Sequence, residues 1–294
     1  MLTGATGTVG RALLPLLLEA DEDVRVLVRD PRRLGRMRVE VRLALGDLVD
    51  LADPRVARGA LRGVDTVIHL AAAIRDQAQA RVEELNGLAT ARLLRAAEDS
   101  GVQRFVFFSA IGASEIQRTR FFRAKALAER AVRESDLETT VFAPSIVYAP
   151  DDPWVTTQRR LALLPAIPIS GEGEAAFEPI WARDVAGCVL ADLAAGPGSR
   201  RHELAGPERL TYDRMARLIA RASGRERRLL HVPLGLVHYG LAGLRRIVGD
   251  TAFATWEEAE LMEVPMVSER GDADVRALGV EPRRMGEVLA GAGA

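Results

Sequence analysis

The sequence predicts a doubly wound α/β fold, a parallel sheet with helices on both faces, followed by a small, mainly helical C-terminal lobe. Three observations predict it. Short β-branched and aromatic runs alternate with Ala- and Leu-rich stretches of helical spacing over the first 150 residues. The strand candidates read as nearly continuous apolar runs, as expected when helices cover both sheet faces. A glycine-rich turn joins the first strand candidate to the first helix candidate.

In chain order, the strand candidates after the first are 24–29, 41–46, 66–71, 104–109 and 139–143, and the clearest helices between them are 10–20, 81–100 and 121–135. The first strand has only residues 1–3, short of the roughly 5–6 usual for a strand, which leaves open whether the native N-terminus starts upstream of Met1. After Pro150 the character changes. Asp151, Asp152, Pro153, Pro165, Pro168, Gly171 and Gly173 read as irregular chain. A strand at 177–181 leads into a helix from Ala182, and 201–205 reads as another strand. The remainder reads as helices at 212–222, 234–248, 255–262 and 272–278, and the arginine-rich 225–228 as a solvated loop. Residues 1–150 therefore make the first domain, with 177–205 returning to it; 151–176 and 206–294 make the lobe, and a cleft lies between them.

Composition narrows the function. Of 294 residues, 40 are basic and 41 acidic, a balance that argues against a nucleic-acid partner. One cysteine, Cys188, excludes an internal disulfide, and four histidines without metal spacing leave no metal site expected. No apolar run approaches the roughly 18 residues of a membrane span, and no signal peptide is evident. The expectation is a cytoplasmic protein acting on a small molecule. The apolar helix 234–248, with Arg245 and Arg246 near its end, offers a peripheral membrane contact, but a lobe helix over the cleft is the preferred reading.

Thr3, Gly4, Ala5, Thr6, Gly7, Thr8, Val9 and Gly10 make the glycine turn. Glycines let the chain turn tightly and bring backbone N–H groups close to a pyrophosphate, and a helix N-terminus favours the anion. The spacing is Gly-x-x-Gly-x-x-Gly. Strand before and helix after make it a candidate dinucleotide phosphate loop. The second strand ends in Val28 and Arg29. A guanidinium there suits a ribose 2′-phosphate, so NADP(H) is favoured over NAD(H); Asp30 keeps NAD(H) open if its carboxylate turns inward. Gly46, Asp47 and Leu48 end the third strand, where Asp47 either accepts from an adenine amino group or caps the next helix.

With these residues in place, the chain resembles the short-chain dehydrogenase/reductase superfamily, a Rossmann-type family. It is most similar to the extended and atypical branches, which include epimerase/dehydratase-like proteins, relatives of a complex I accessory subunit and NmrA-like regulators. The resemblance rests on TGATGTVG at 3–10, VLVRDP at 26–31, GDL at 46–48, DTVIHLAA at 65–72, FVFFSAIGA at 105–113, FFRAKALAE at 121–129, APSIVYAP at 143–150 and PIWARDVA at 179–186. It implies that Leu70, Ala71 and Ala72 line the cofactor, that Asn86 stands in the following helix, that Pro144, Ser145 and Ile146 lie beside the nicotinamide, and that Asp184 opens the helix after 177–181.

The family's chemistry uses a Tyr-x-x-x-Lys pair and a serine. Here Lys125, the only lysine in the chain, fills the lysine position, Phe121 the tyrosine position and Ala110 the serine position. A phenyl ring carries no exchangeable proton. Alternation along the strand is expected to turn Ser109, one residue before Ala110, to the wrong side of the strand for this role. Among the tyrosines, Tyr148 is the best substitute by position, with packing the preferred reading; Tyr212 is expected to pack, and Tyr239 sits on the lobe helix beside His238. Two readings follow. One is an atypical reductase in which Lys125 binds the ribose and supplies a proton. The other is a non-catalytic NAD(P)-binding regulatory or structural protein.

Overall fold

The computed structural model describes residues 1–48, 50–77, 80–237 and 256–291. Its centre is a seven-stranded parallel sheet. The strands are β1 (Leu2–Thr3), β2 (Arg25–Val28), β3 (Arg42–Leu45), β4 (Thr66–His69), β5 (Arg104–Phe108), β6 (Glu138–Pro144) and β11 (Arg200–Leu204). They run in the order β11-β6-β5-β4-β1-β2-β3. Leu2 pairs with Val26 on one side and Ile68 on the other. The chain thus winds outward from β1 to β3, then jumps back to β4. This reversal opens a crevice at the carboxyl ends of β1 and β4.

Alternation explains the continuous apolar strands. Val106 and Phe108 face one helical layer, α1 (Thr8–Glu19) and α6 (Ala182–Ala194), through Leu13, Leu14, Leu17, Val185 and Cys188. Phe105 and Phe107 face the other layer, α2 (Pro54–Leu61), α3 (Ala89–Asp99) and α4 (Arg120–Arg133), through Leu93, Ala128 and Val132. The helix expected over 81–100 begins with a π-turn at Glu84–Leu88 before α3.

The stretch expected to be irregular after Pro150 is ordered. Asp152 caps α5 (Pro153–Leu161) by accepting the Val155 N–H at 2.7 Å, and Pro153 occupies the first turn, where its missing N–H is harmless. β8 (Ala166–Ser170) pairs in parallel with β13 (Arg228–Val232), so the run read as a solvated loop leads into a strand. Pro168 is tolerated because this sheet has two strands, and its nitrogen can face the open side. The expected strand 177–181 is two short pieces, β9 (Ala176–Phe177) and β10 (Ile180–Trp181), each with its own partner: β12 (Leu210–Thr211) for β9 and β7 (Val147–Tyr148) for β10. Tyr148, Phe177, Ile167 and Met215 of α7 (Tyr212–Ala222) build a separate core with the helix Met285–Gly291. The expected helix 234–248 lies outside the described residues from 238 onward, as do His238 and Tyr239. No helix among the described residues is long and apolar enough to cross a membrane.

Candidate functional site

A cleft of about 670 Å³ opens at the crevice between β1 and β4. That volume lies in the range of ligand pockets. Its floor is the glycine turn. Gly4 has φ +72°, and a side chain there would put its Cβ 2.6 Å from the Ala71 nitrogen. A Cβ on Gly10 would lie 2.3 Å from the Gly4 carbonyl oxygen. The loop and helix therefore touch backbone to backbone. Gly7 is the N-cap of α1 and supplies no side-chain bond, so the first-turn N–H groups have no side-chain acceptor. Such an arrangement accepts a phosphate.

Thr3, Gly4, Thr6, Gly7 and Thr8 line this cleft, whereas Val9 and Gly10 lie behind it. At the far end of β2 stand Arg29, Asp30 and Arg33. Both arginines are exposed, and neither is held in an ion pair among the described residues. The Asp30 carboxylate accepts the Arg32 N–H at 3.0 Å and so caps the short helix Pro31–Val39. Asp47 and Leu48 line the cleft as well. Asp47 accepts the Asp50 N–H at 3.1 Å, while its own N–H donates to Asp50 at 2.8 Å. Asp47 thus holds the turn after β3 while also lining the cleft.

Leu70, Ala71 and Ala72 form the opposite wall, followed by Ala73 and Gln77. Asn86 does not line the cleft. It is buried in the π-turn, where its side chain accepts the Ala73 N–H at 3.1 Å and donates to the Ala73 and Val82 carbonyls. Sequence reasoning missed Arg11, Leu85 and Pro153 in the lining. Arg11 had a signal, being the residue after the third glycine; the other two had none.

Lys125 lies away from the cleft lining, on the buried face of α4. Its Nζ donates to the Phe108 carbonyl at 2.6 Å and sits over the rings of Phe107 and Phe121, 5.0 and 5.9 Å from their centroids. Burial draws its pKa down to about 7. The β5–β6 ladder continues regularly past Phe108, through Ser109 N–H to Phe142 and Ile111 N–H to Pro144. Ser109 therefore shares the Phe107 face with Lys125, opposite Ala110, and its Oγ is buried without a hydrogen-bond partner. Ser145 ties the junction together. Its hydroxyl donates to the Met266 carbonyl at 2.7 Å and accepts the Glu178 N–H at 3.0 Å. Pro144 ends β6, and the Ile146 carbonyl accepts the Ile180 N–H. Asp184, in the first turn of α6, accepts the Arg283 N–H at 2.9 Å. Tyr148 is fully buried, its hydroxyl without a partner, and Tyr212 accepts from Gln158 at 2.8 Å.

A sequence model described as NAD(P)H-binding matches residues 4–190, which carries the glycine floor, both cleft walls and the sheet. The chain belongs to the NAD(P)H-binding family. This NAD(P)H-binding protein is 29% identical over 251 residues to an NAD(P)H azoreductase of Xenophilus azovorans, covering 83% of the chain and 80% of the relative. It is 30% identical to the mitochondrial NADH dehydrogenase 1 alpha subcomplex subunit 9 of Arabidopsis thaliana, over 74% of the chain but only 56% of that protein's length. Among solved structures, a nucleoside-diphosphate-sugar epimerase from Staphylococcus aureus superposes with a TM-score of 0.78 at 20% identity, covering 99% of both chains. The last likeness shows a shared fold. The NAD(P)H-binding protein carries Phe121 four residues before its lysine.

Proposed function

We propose that this protein is an oxidoreductase that prefers NADP(H) to NAD(H) and acts on a small apolar carbonyl or activated-alkene compound without a catalytic tyrosine. The observation that carries the reading is the pair Arg29 and Arg33 on the cleft wall after β2, beside an Asp30 carboxylate that already accepts the Arg32 N–H. A guanidinium matches a 2′-phosphate, whereas an inward carboxylate would repel it. The azoreductase relative supports a reductase by name.

A bound nicotinamide dinucleotide supplies the hydride. The α1 N-terminus and the Gly4–Gly7 turn receive its pyrophosphate. Asp47 and Leu48 would border its adenine, and Leu70, Ala71 and Ala72 would line its central part. Asn86 acts on it through Ala73, which it grips on both sides. Lys125 would hold the ribose and exchange the substrate's proton, for which a pKa near neutrality suits it. To do so its amine must leave the Phe108 carbonyl. Pro144, Ser145 and Ile146 lie toward the nicotinamide end, and 151–176 with 206–294 form the substrate lobe. A non-catalytic binder is the second reading. Phe121 in the tyrosine position and the bond from Lys125 to Phe108 favour it.

Thermal unfolding with NADPH, NADH or neither tests the cofactor half. At about a hundredfold excess over Kd, a ligand stabilises by roughly 2.7 kcal/mol, a shift of several degrees. Loss of NADPH absorbance with carbonyl, alkene and azo acceptors, in the wild type and Lys125→Ala, tests the other half. Binding without turnover would select the second reading, and no shift with either nucleotide would refute both.

A further inference from the structure

Behind the cleft wall runs a closed circuit of buried hydrogen bonds centred on His69, the last residue of β4 and 1% exposed. Its Nδ1 is 2.7 Å from the Thr3 hydroxyl and its Nε2 3.0 Å from the Thr90 hydroxyl. One arrangement of protons satisfies the circuit. Thr90 donates its only hydrogen to the Asn86 carbonyl at 2.7 Å, so toward His69 it can only accept. Nε2 therefore carries the imidazole hydrogen and Nδ1 is an acceptor. Thr3 donates to Nδ1, and its oxygen accepts the Ala71 N–H at 3.3 Å. Asn86 closes the circuit on Ala73, accepting its N–H and donating to its carbonyl at 2.6 Å.

We propose that His69, neutral and in its Nε2–H form, is the positioning residue that holds the Ala71–Ala73 wall of the cleft against the phosphate loop. The proposal rests on the dinucleotide reading only for what the wall is for. The wall touches that loop where Gly4 meets Ala71, and Thr3 directly precedes Gly4. One imidazole thus links the strand before the phosphate loop to both ends of the opposite wall. A second ring proton would turn Nδ1 into a donor and leave the Thr3 hydrogen without an acceptor. Burial and the Lys125 ammonium hold the ring neutral, with its pKa drawn down to about 3. Stacking on Phe107, centroids 6.0 Å apart, fixes the ring plane.

The tautomer is read without any nucleotide, from two-bond nitrogen–proton spectra of histidine-labelled protein. His69 should show the Nε2–H pattern, unchanged between about pH 5 and 8. Amide exchange at Ala71 and Ala73 is then compared with Val106, deep in β5, in the wild type, His69→Leu and His69→Asn. His69→Leu should accelerate Ala71 and Ala73 about tenfold more than Val106. His69→Asn, which keeps an acceptor for Thr3, should restore most of the protection at Ala71. Thr90→Val, which removes one link and no ring, serves if His69→Leu fails to fold. NADPH affinity, measured where each variant is fully folded, should fall about tenfold in His69→Leu and less in His69→Asn. An Nδ1–H tautomer, or loss of protection uniform across Ala71, Ala73 and Val106, overturns the proposal. Failure of the wild type to bind either nucleotide overturns the proposed function instead, and the exchange rates still decide whether His69 holds the wall.

Discussion

The Lys125 amine donates to the Phe108 carbonyl at 2.6 Å in a position where the side chain is 3% exposed. No carboxylate accompanies it in that bond. The chain's only lysine is therefore a buried cation whose charge is opposed by burial.

The consequence for stability has a definite sign. The folded pKa, about 7, lies below the ordinary 10.5. Below about pH 7 both states carry the proton and the native state bears the full penalty of burying it. From there to about 10.5 the unfolded state holds more protons, so the penalty lifts as pH rises. Lys125→Met should therefore stabilise the fold at pH 6 by an amount on the order of a few kcal/mol, seen as a higher melting temperature, with a smaller gain at pH 10. Calorimetry across that range checks it; an equal shift at both ends would contradict it.

Arg29→Asp should reverse cofactor preference. It removes a cation from the cleft rim and adds an acceptor for a ribose 2′-hydroxyl. NADPH should lose about 1.5–3 kcal/mol of affinity, the value of a hydrogen bond to a charged group, and NADH should lose little. Titration calorimetry with both nucleotides measures the difference. Equal losses would place the 2′-phosphate elsewhere.

Two glycines should respond in opposite directions to alanine. At Gly10 the new Cβ would meet backbone on α1's first turn, 2.3 Å from the Gly4 oxygen and 2.6 Å from the Ala5 Cα, and backbone cannot rotate away. Gly10→Ala should destabilise by about 1–3 kcal/mol or more and weaken nucleotide binding. Gly59, exposed inside α2, has nothing within 4 Å of its Cβ position. Gly59→Ala should stabilise by roughly 0.5–1 kcal/mol. Denaturant unfolding of the two variants side by side is the check.

Asp192, fully buried at the end of α6, accepts from Arg104 at 2.5 Å and from Thr140 at 2.8 Å. Burial pushes its carboxyl up, but the His202 imidazole 3.6 Å away, the Thr140 hydrogen bond and the Arg104 guanidinium outweigh it and hold the pKa below the usual range. A depressed carboxylate stabilises the fold above its ordinary pKa. That contribution disappears as pH falls through the folded value. Asp192→Ala should cost about 3–5 kcal/mol at pH 7, because Arg104 stays buried, and the gap from wild type should narrow below about pH 4. Urea midpoints at pH 7 and 3.5 measure both.

Much of this was legible in the chain alone. Alternating periodicities marked the strands of the main sheet, since residues within a turn or a pleat of one another decide which face is apolar. The glycine spacing placed the turn that floors the cleft, and Arg29 lies on the cleft wall at the end of β2. Tertiary structure decided the rest. β8 and β13 pair across some 60 residues, from Ala166 to Arg228, and no local pattern encodes so distant a partner. Lys125 reads as the lysine of a catalytic pair; Phe121 stands one helix turn before it in sequence, but the Phe108 carbonyl and the Phe107 ring that also enclose it come from β5, a partner no local pattern gives. Asn86 reads by resemblance as a residue of the helix after the fourth strand, and only the packed fold puts its side chain on both backbone groups of Ala73. Periodicity is a property of neighbours along the chain; burial and hydrogen-bond partnership are properties of the packed whole.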